Sequence, residues 1–132
     1  MRSATVTTVV PAAQKDVFDY LAAIENLPDW ATEFARELRH DDDGYKVVNG
    51  LGEFHFAIEA DASTGVIDMY AGPSPDQLAV FPTRAVALAD GTTAYSFTMF
   101  QLPGMPDELF DAQHASLQRE FANIERRFTT AG

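Results

Sequence analysis

One histidine stands in the middle of the most regular apolar pattern in the chain. His114 follows Phe110 by four residues and precedes Leu117 by three, so on a helix it points to the buried side. An imidazole, whose ordinary pKa is about 6.5, can hydrogen-bond a ligand carbonyl or phenol in a cavity, or move a proton there. A core histidine satisfied by a backbone carbonyl or by water fits the same pattern. His114 is therefore a candidate for ligand contact and for catalysis, with core packing as the alternative.

A second group of chemically capable residues comes from strand pairing. A four-residue hairpin loop at Asp61–Thr64 makes residue 60 face residue 65, so that His55 faces Tyr70 and Asp68 lies on the diagonal. Arg84 belongs to the next strand, where the alternation groups it with Leu78, Val80, Val86 and Leu88. Because those neighbours are of a buried type, the pattern predicts that Arg84 faces inward.

In a cavity, Asp68 and Arg84 would bind a carboxylate or orient a carbonyl oxygen, and a histidine beside an aspartate would serve as an acid/base pair. The alternative is that His55 shares the polar face of its strand with two glutamates, opposite three apolar residues, and we favour it for His55. A bulge at Pro82 would turn Arg84 outward as well. The catalytic candidates are His114, Arg84 and Asp68.

The chain is rich in large apolar side chains that can line a pocket for a hydrophobic ligand. Ten of its 132 residues are Phe. Most of these must belong to the core, so we expect about a third of the lining set to touch a ligand. The loop at Leu102–Pro106, with prolines around a glycine, is either a gate to this pocket or a plain connection. The predicted ligand-binding residues are Trp30, Phe34, Phe56, Met69, Arg84, Phe97, Met99, Phe110, His114 and Leu117.

Metal and covalent chemistry have no support in the sequence. The run Asp41–Gly44 lacks the alternating oxygen ligands of an EF-hand loop and indicates a solvated hairpin turn. The three histidines, at positions 40, 55 and 114, lack the short spacings of a zinc site, and the chain has no cysteine. The sequence also contains neither a glycine-rich phosphate loop nor a Gly-x-Ser-x-Gly elbow. We predict no metal and no cofactor.

The composition excludes several classes of partner. With 9 basic and 20 acidic residues, the formal net charge is −11, which repels phosphate backbones and argues against nucleic acid and anionic membrane surfaces. No segment approaches the roughly 20 apolar residues of a membrane-spanning helix, and the first ten residues alternate rather than forming an apolar leader. We expect one domain over residues 1–132, in the cytoplasm, as a monomer or homodimer with a small molecule as its partner.

Few elements are needed to position these residues. Residues 1–10 alternate in β-branched types and predict a strand, which is followed by helical spacing over 12–24 and a short helical piece over 26–34. Turn signals between residues 35 and 101 predict an antiparallel meander of about six strands. Residues 106–128 predict a long amphipathic helix. A curved antiparallel sheet of about seven strands, wrapped round this carboxyl-terminal helix, buries all the apolar stripes at once.

Several segments resemble the START/Bet v 1-like superfamily, also called SRPBCC or polyketide cyclase/dehydrase. The resemblance extends over essentially the whole chain and includes the order of elements. It is carried by VPAA (10–13), VFDYL (17–21), ENLPDW (25–30), TGVID (64–68) and LPGM (102–105). It implies an α+β helix-grip fold with an apolar cavity between the sheet and the final helix, which different members use for lipids, sterols, quinones, polyketides or plant hormones.

The leading functional hypothesis is the binding of a hydrophobic or amphipathic small molecule of lipid, polyketide or aromatic type in that cavity. A cyclase/dehydratase-type enzyme acting on a polyketide-like substrate is an alternative, in which the cavity holds a poly-carbonyl chain in a folded conformer. A co-chaperone-like interaction module with an acidic contact surface is another. The fold alone does not decide between a carrier and an enzyme, because one fold hosts many functions.

Overall fold

The chain folds into an antiparallel sheet wrapped round a long helix, as seen in a computed structural model that describes residues 1–129. The helices are α1 (Gln14–Ala22), α2 (Leu27–Trp30) and α3 (Asp107–Thr129), with a 3₁₀ turn at Ile24–Asn26. The strands are β1 (Ser3–Val10), β2 (Glu37–Asp41), β3 (Gly44–Asn49), β4 (Gly52–Asp61), β5 (Val66–Ser74), β6 (Gln77–Phe81), β7 (Thr83–Ala87) and β8 (Thr93–Phe100).

The strands form one sheet in the order β1-β8-β7-β5-β4-β3-β2, with β6 paired to β5 beside this path. The described pairings are all antiparallel. The predicted curved sheet round a carboxyl-terminal helix is confirmed. It has eight strands, one more than the estimate, because Pro82, which has no N–H to give to a ladder, separates β6 from β7.

The β4–β5 hairpin differs in register from the prediction. Ala60 pairs with Ile67, and Asp61 pairs with Val66, so the four-residue loop is 62–65 and lies one residue further along the chain than expected. The Asp61 carboxylate accepts the backbone N–H of Ser63 at 2.9 Å, which keeps Asp61 in the strand and starts the turn after it. Gly65 closes the loop at φ 79°, a conformation that favours glycine. The pairing of opposite residues changes, but the residues that share each face do not.

The segment between β1 and β2 supplies one edge of the interior. Val17 and Leu21 of α1 are buried at helical spacing, as predicted for this stretch. Pro28 lies in the first turn of α2, where its missing N–H would have had no helical partner. This short helix places Trp30, which is 2% exposed, beneath α3.

Helix α3 confirms the predicted amphipathic stripe. Asp107 and Glu108 occupy its first turn and Arg126 and Arg127 its last, an order that complements the helix dipole. Within the stripe, His114 and Phe128 are half-buried. Glu120, which lies outside the predicted pattern, is buried as well. The buried residues of the helix are Phe110, Leu117, Glu120, Phe121 and Ile124. Across residues 1–129, no helix is both long enough and apolar enough to cross a membrane.

Candidate functional site

A pocket of about 510 Å³ lies between the concave face of the sheet and the first half of α3. The sheet contributes residues from β3, β4, β5, β6 and β8, and α2 with the following segment closes one side. Its mouth is marked by the exposed residues Arg36, Gly50, Leu51 and Arg119. The deeper wall consists largely of Leu27, Trp30, Ala31, Phe34, Phe56, Met69, Phe81, Phe97, Met99, Leu109 and Leu117, together with Glu120.

Most of the predicted lining set lies on this wall. Each strand residue of the set reaches the pocket because it belongs to the inward face of β4, β5 or β8. Contact with a ligand stays a prediction for all of them. The predicted residues on the wall are Trp30, Phe34, Phe56, Met69, Phe97, Met99 and Leu117.

Two predicted residues of α3 do not line the pocket. Phe110 is 2% exposed and packs into the core, with the Arg2 guanidinium 4.6 Å from the centre of its ring. His114 is half-buried on the side of α3 away from the pocket wall. Successive residues of a helix point about 100° apart, so the buried side of α3 covers a wide angle. The pocket borders only one edge of that buried side. The imidazole is therefore not placed to contact a ligand held there.

Arg84 does not face inward, and that expectation was wrong. Its neighbours Thr83 and Ala85 are buried, whereas Arg84 itself is exposed, and its Nε donates to the carbonyl oxygen of Thr64 at 3.2 Å. The facing is set by Thr83, whose hydroxyl donates to the backbone carbonyl of Ile67 at 2.6 Å inside the sheet. Arg84 does share a face with Val80, Val86 and Leu88, as the alternation predicts, but this face is the outer one.

The other strand candidates share that outer face. His55 lies opposite Gly72, and Asp68 lies opposite Glu59, while the inward side of the same strands carries Phe56 and Met69. The preferred interpretation of His55 as part of the polar face is confirmed. The structure brings Asp68 and Arg84 to the convex side of the sheet and His114 to α3, so the three catalytic candidates do not meet in one site.

Glu120 is the buried polar residue of the pocket wall, and the sequence interpretation missed it. Its side chain is 4% exposed, and Oε2 accepts the backbone N–H groups of Glu33 at 3.0 Å and Phe34 at 2.9 Å. Burial raises the pKa of this carboxyl to about 7, against the opposing effect of the two N–H donors. The spacing held a signal, because residue 120 lies three after Leu117 and four before Ile124, on the buried side of the helix.

The segment that follows α2 is fixed to its surroundings by several polar contacts. Arg119 forms a two-pronged ion pair with Glu33, with nitrogen–oxygen distances of 2.6 and 2.9 Å, and this contact lowers the pKa of Glu33. Asn123 donates to the carbonyl of Trp30 at 3.0 Å, and Asn49 donates to the carbonyl of Phe34 at 2.8 Å. This wall of the pocket is therefore held in place from both α3 and β3.

A second depression, of about 540 Å³, has a different character. Its wall includes Glu25, Asp43 and His55 beside apolar residues, and no residue of α3 takes part in it. Its volume is similar, so volume does not decide between the two. The pocket under α3 is the stronger candidate because its wall is mainly apolar and aromatic and contains a buried carboxyl group, which are features of small-molecule sites. Among residues 1–129, no group of three or more His, Cys, Asp or Glu side chains could hold a metal ion.

Comparison with known proteins gives the fold. No protein-family model and no curated protein matches the chain. Among solved structures, the Zhui aromatase/cyclase from a Streptomyces species superposes with a TM-score of 0.69 at 19% identity, covering 99% of this chain and 98% of that one. A START superfamily protein from Mycobacterium smegmatis superposes with a TM-score of 0.67 at 15% identity, covering 98% and 99%. The Aha1 dimer from Colwellia psychrerythraea superposes with a TM-score of 0.74 at 11% identity, covering 100% of both chains.

These superpositions span nearly the whole chain, and they confirm the START-like helix-grip fold expected from the sequence. Sequence identities of 11% to 19% show the fold alone.

Proposed function

We propose that this chain, a START-like fold, binds one apolar or amphipathic small molecule in the pocket between the sheet and α3. The observation that carries the proposal is the pocket itself. It encloses about 510 Å³ between the concave face of the sheet and α3, and aromatic and thioether side chains line its deep wall. Ligand pockets of small-molecule sites span about 300 to 1,000 Å³ and are mainly apolar with few polar groups. The pocket fits this description.

The mouth of the pocket favours an amphipathic ligand over a purely apolar one. Arg36 and Arg119 lie there beside Glu33, so the polar end of a ligand can stay near charged groups and solvent while its apolar part enters. The contacts that fix the segment after α2 mean that the wall exists before the ligand arrives. A preformed wall lowers the entropic cost of binding.

A cyclase-type reaction is the second candidate, and one observation favours it. Glu120 lies on the pocket wall with a pKa raised to about 7 by burial, which suits a group that takes up and returns a proton near neutral pH. The described neighbour from Streptomyces is an aromatase/cyclase. This candidate ranks second because the residues first considered for acid/base work, His114, Arg84 and Asp68, lie off the pocket wall.

The test is to fill the pocket and measure binding. Ser116 lies on the pocket wall, and Gln118 is exposed on the same helix, so Ser116→Phe and Gln118→Phe add the same ring on opposite sides. We expect Ser116→Phe to weaken binding of the neutral dye Nile red at least tenfold and Gln118→Phe to leave it within twofold. Equal affinity in both variants and the wild type would place the dye elsewhere and contradict the proposal.

Native mass spectrometry of freshly purified protein is the second measurement. A non-covalent added mass that leaves on denaturation, and that is lost in Ser116→Phe but kept in Gln118→Phe, would support the proposal and give the chemical class of the ligand. An added mass retained by both variants would contradict it. Circular dichroism on each variant checks that the fold is intact.

A further inference from the structure

We infer that Glu120 selects ligands that carry a hydroxyl or N–H donor on the part that enters the pocket; the inference rests on the proposed binding function. The carboxyl group supplies a hydrogen-bond acceptor in a wall that is otherwise mainly apolar. The ligand must bring a donor because one of the two carboxyl oxygens of Glu120 already accepts hydrogen bonds and the other does not.

The two oxygens of Glu120 have different surroundings. Oε2 accepts both N–H groups of the segment after α2, from Glu33 and Phe34. No donor among residues 1–129 reaches Oε1 within hydrogen-bonding distance. Oε1 is not among the fully buried side-chain atoms of the described chain that lack a partner, and Glu120 lines the pocket, so Oε1 is open to the pocket space.

The charged groups around Glu120 leave this oxygen free. Arg119, the residue before Glu120 on α3, donates from its guanidinium to Glu33 in the two-pronged ion pair. Arg36, on the segment after α2, lies exposed at the mouth. Asn49, from β3, donates its side-chain N–H to the carbonyl of Phe34, and its side-chain oxygen accepts the backbone N–H of Leu51. No histidine lies on the described wall of the pocket.

The cost of leaving the Glu120 acceptor without a donor decides which ligands the pocket tolerates. A ligand that covers Glu120 removes the water that reaches Oε1, and a buried carboxylate without a donor is costly. A ligand hydroxyl or N–H replaces that water, whereas an ether of the same shape does not. Sites built to hydrogen-bond a ligand group reject analogues that lack it more strongly than apolar pockets reject a missing methylene.

The experiment compares 2-naphthol with 2-methoxynaphthalene, flat probes that differ in the donor. Each displaces Nile red from the wild type, Glu120→Gln and Glu108→Gln at pH 8, where the Glu120 carboxyl is mainly ionised. Glu120→Gln keeps an oxygen for the two backbone N–H groups but removes the charged acceptor. Glu108→Gln makes the same change at an exposed position of α3 outside the pocket. We expect the wild type and Glu108→Gln to prefer 2-naphthol by about tenfold or more, and Glu120→Gln by less than threefold.

A second measurement needs no variant. In the wild type, the preference for 2-naphthol should fall as the pH is lowered from 8 to 5.5, because protonation of Glu120 removes the acceptor charge. Equal binding of both probes by the wild type, a preference that survives in Glu120→Gln, or a preference that does not change with pH would overturn the inference while leaving the pocket intact. Failure of Nile red, 2-naphthol and 2-methoxynaphthalene alike to bind, with binding followed directly by the emission of Trp30 on the pocket wall, would instead contradict the proposed function.

Discussion

The two halves of α3 meet the sheet in different ways. In the carboxyl-terminal half, Phe121 stacks on Tyr95 with ring centres 5.5 Å apart, Phe128 meets Tyr20 edge-on at 5.6 Å, and Ile124 is fully buried. In the amino-terminal half, one side of the helix faces a pocket of about 510 Å³. The same apolar periodicity runs through both halves, so periodicity shows which side of a helix is inward and not whether the space opposite is filled.

Small residues at the pocket distinguish the two halves. Tyr20 and Tyr95 reach the carboxyl-terminal half of α3 and fill the interior there, since aromatic rings cover a large contact area. Around the pocket, several wall positions carry small residues, Ala31, Gly50, Ala112 and Ser116. Close side-chain packing in one half thus coexists with open space in the other.

The largest predicted effect compares one aliphatic truncation in each half. Ile124→Ala removes a side chain with 0% exposure from the packed half and should lower the free energy of unfolding by about 3 to 4 kcal/mol. Leu117→Ala, on the pocket wall, should cost about 2 kcal/mol or less, because part of that side chain already borders open space. Urea unfolding followed by circular dichroism measures both. Equal losses would mean that the two halves are packed alike in solution.

The next effect concerns pH and belongs to the pocket half. The pKa of Glu120 rises from 4.5 when unfolded to about 7 in the folded chain because of burial. The folded state therefore binds the proton more tightly, and the stability from this group is fully present below pH 4.5 and lost as the pH rises through 7. We expect roughly 2.5 kcal/mol of stability to disappear between pH 5 and pH 8 on this account.

Glu120→Gln should flatten this dependence, while Glu108→Gln should follow the wild type. Carboxyl groups with lowered pKa, such as those of Glu33 and Asp61, act in the opposite direction, but their contribution is lost only as the pH falls through their lowered values. Unfolding midpoints in urea at pH 5, 6, 7 and 8 test the window. A slope that is the same in Glu120→Gln and in the wild type would show that another group titrates.

The smallest effect tests how complete the packed half is. The hydroxyl of Tyr95 is buried without a well-formed hydrogen bond among the described residues: burial raises its pKa, and only the nearby Thr83 hydroxyl, which itself donates to Ile67, opposes that rise. Tyr95→Phe removes this unsatisfied group and keeps the ring, so we expect a gain of about 1 kcal/mol in the free energy of unfolding. Tyr70→Phe, on the outer face, should change it little and serves as the control. A clear loss of stability in Tyr95→Phe would indicate a partner for the hydroxyl in solution.

Much of the fold was predictable because its signals are local. The spacing of Phe110, Leu117, Phe121 and Ile124 predicts α3, and the turn residues predict the meander. The loop of the β4–β5 hairpin moved by one residue because the Asp61 side chain caps the turn from within the strand. Such a side-chain-to-backbone contact is one of several turn solutions that the same sequence allows.

The facing of Arg84 shows where alternation stops being informative. The outer face of β6 and β7 carries the bulkier aliphatic residues, while the inner face carries Ala79, Phe81, Thr83 and Ala85. Alternation correctly groups the residues that share a face. The apolar character of the group around Arg84 suggests the inner face, but in β6 and β7 this group lies on the outer face. The decision comes from neighbouring strands, since Thr83 lies opposite Phe97 of β8 and bonds to Ile67 of β5.

The candidate site was predictable in its apolar part and not in its polar part. Large apolar residues on inward strand faces, such as Phe56 and Met99, had to line whatever space remained. The choice between His114 and Glu120 depends on which edge of the buried side of α3 borders the pocket. At about 100° per residue, the two side chains point about 120° apart on the helix. A glutamate becomes a pocket residue only because the segment after α2 brings two N–H groups to its carboxylate.

Trp30 gives the molecule its own optical probe. It is the only tryptophan in 132 residues, it lines the pocket, and its ring meets Phe121 of the packed half edge-on at 6.4 Å. Indole emission shifts to longer wavelength when water reaches the ring, so one unlabelled chromophore reports both displacement of water from the pocket and opening of the packed half. Titrations and unfolding curves can therefore be read from the same signal in the unmodified chain.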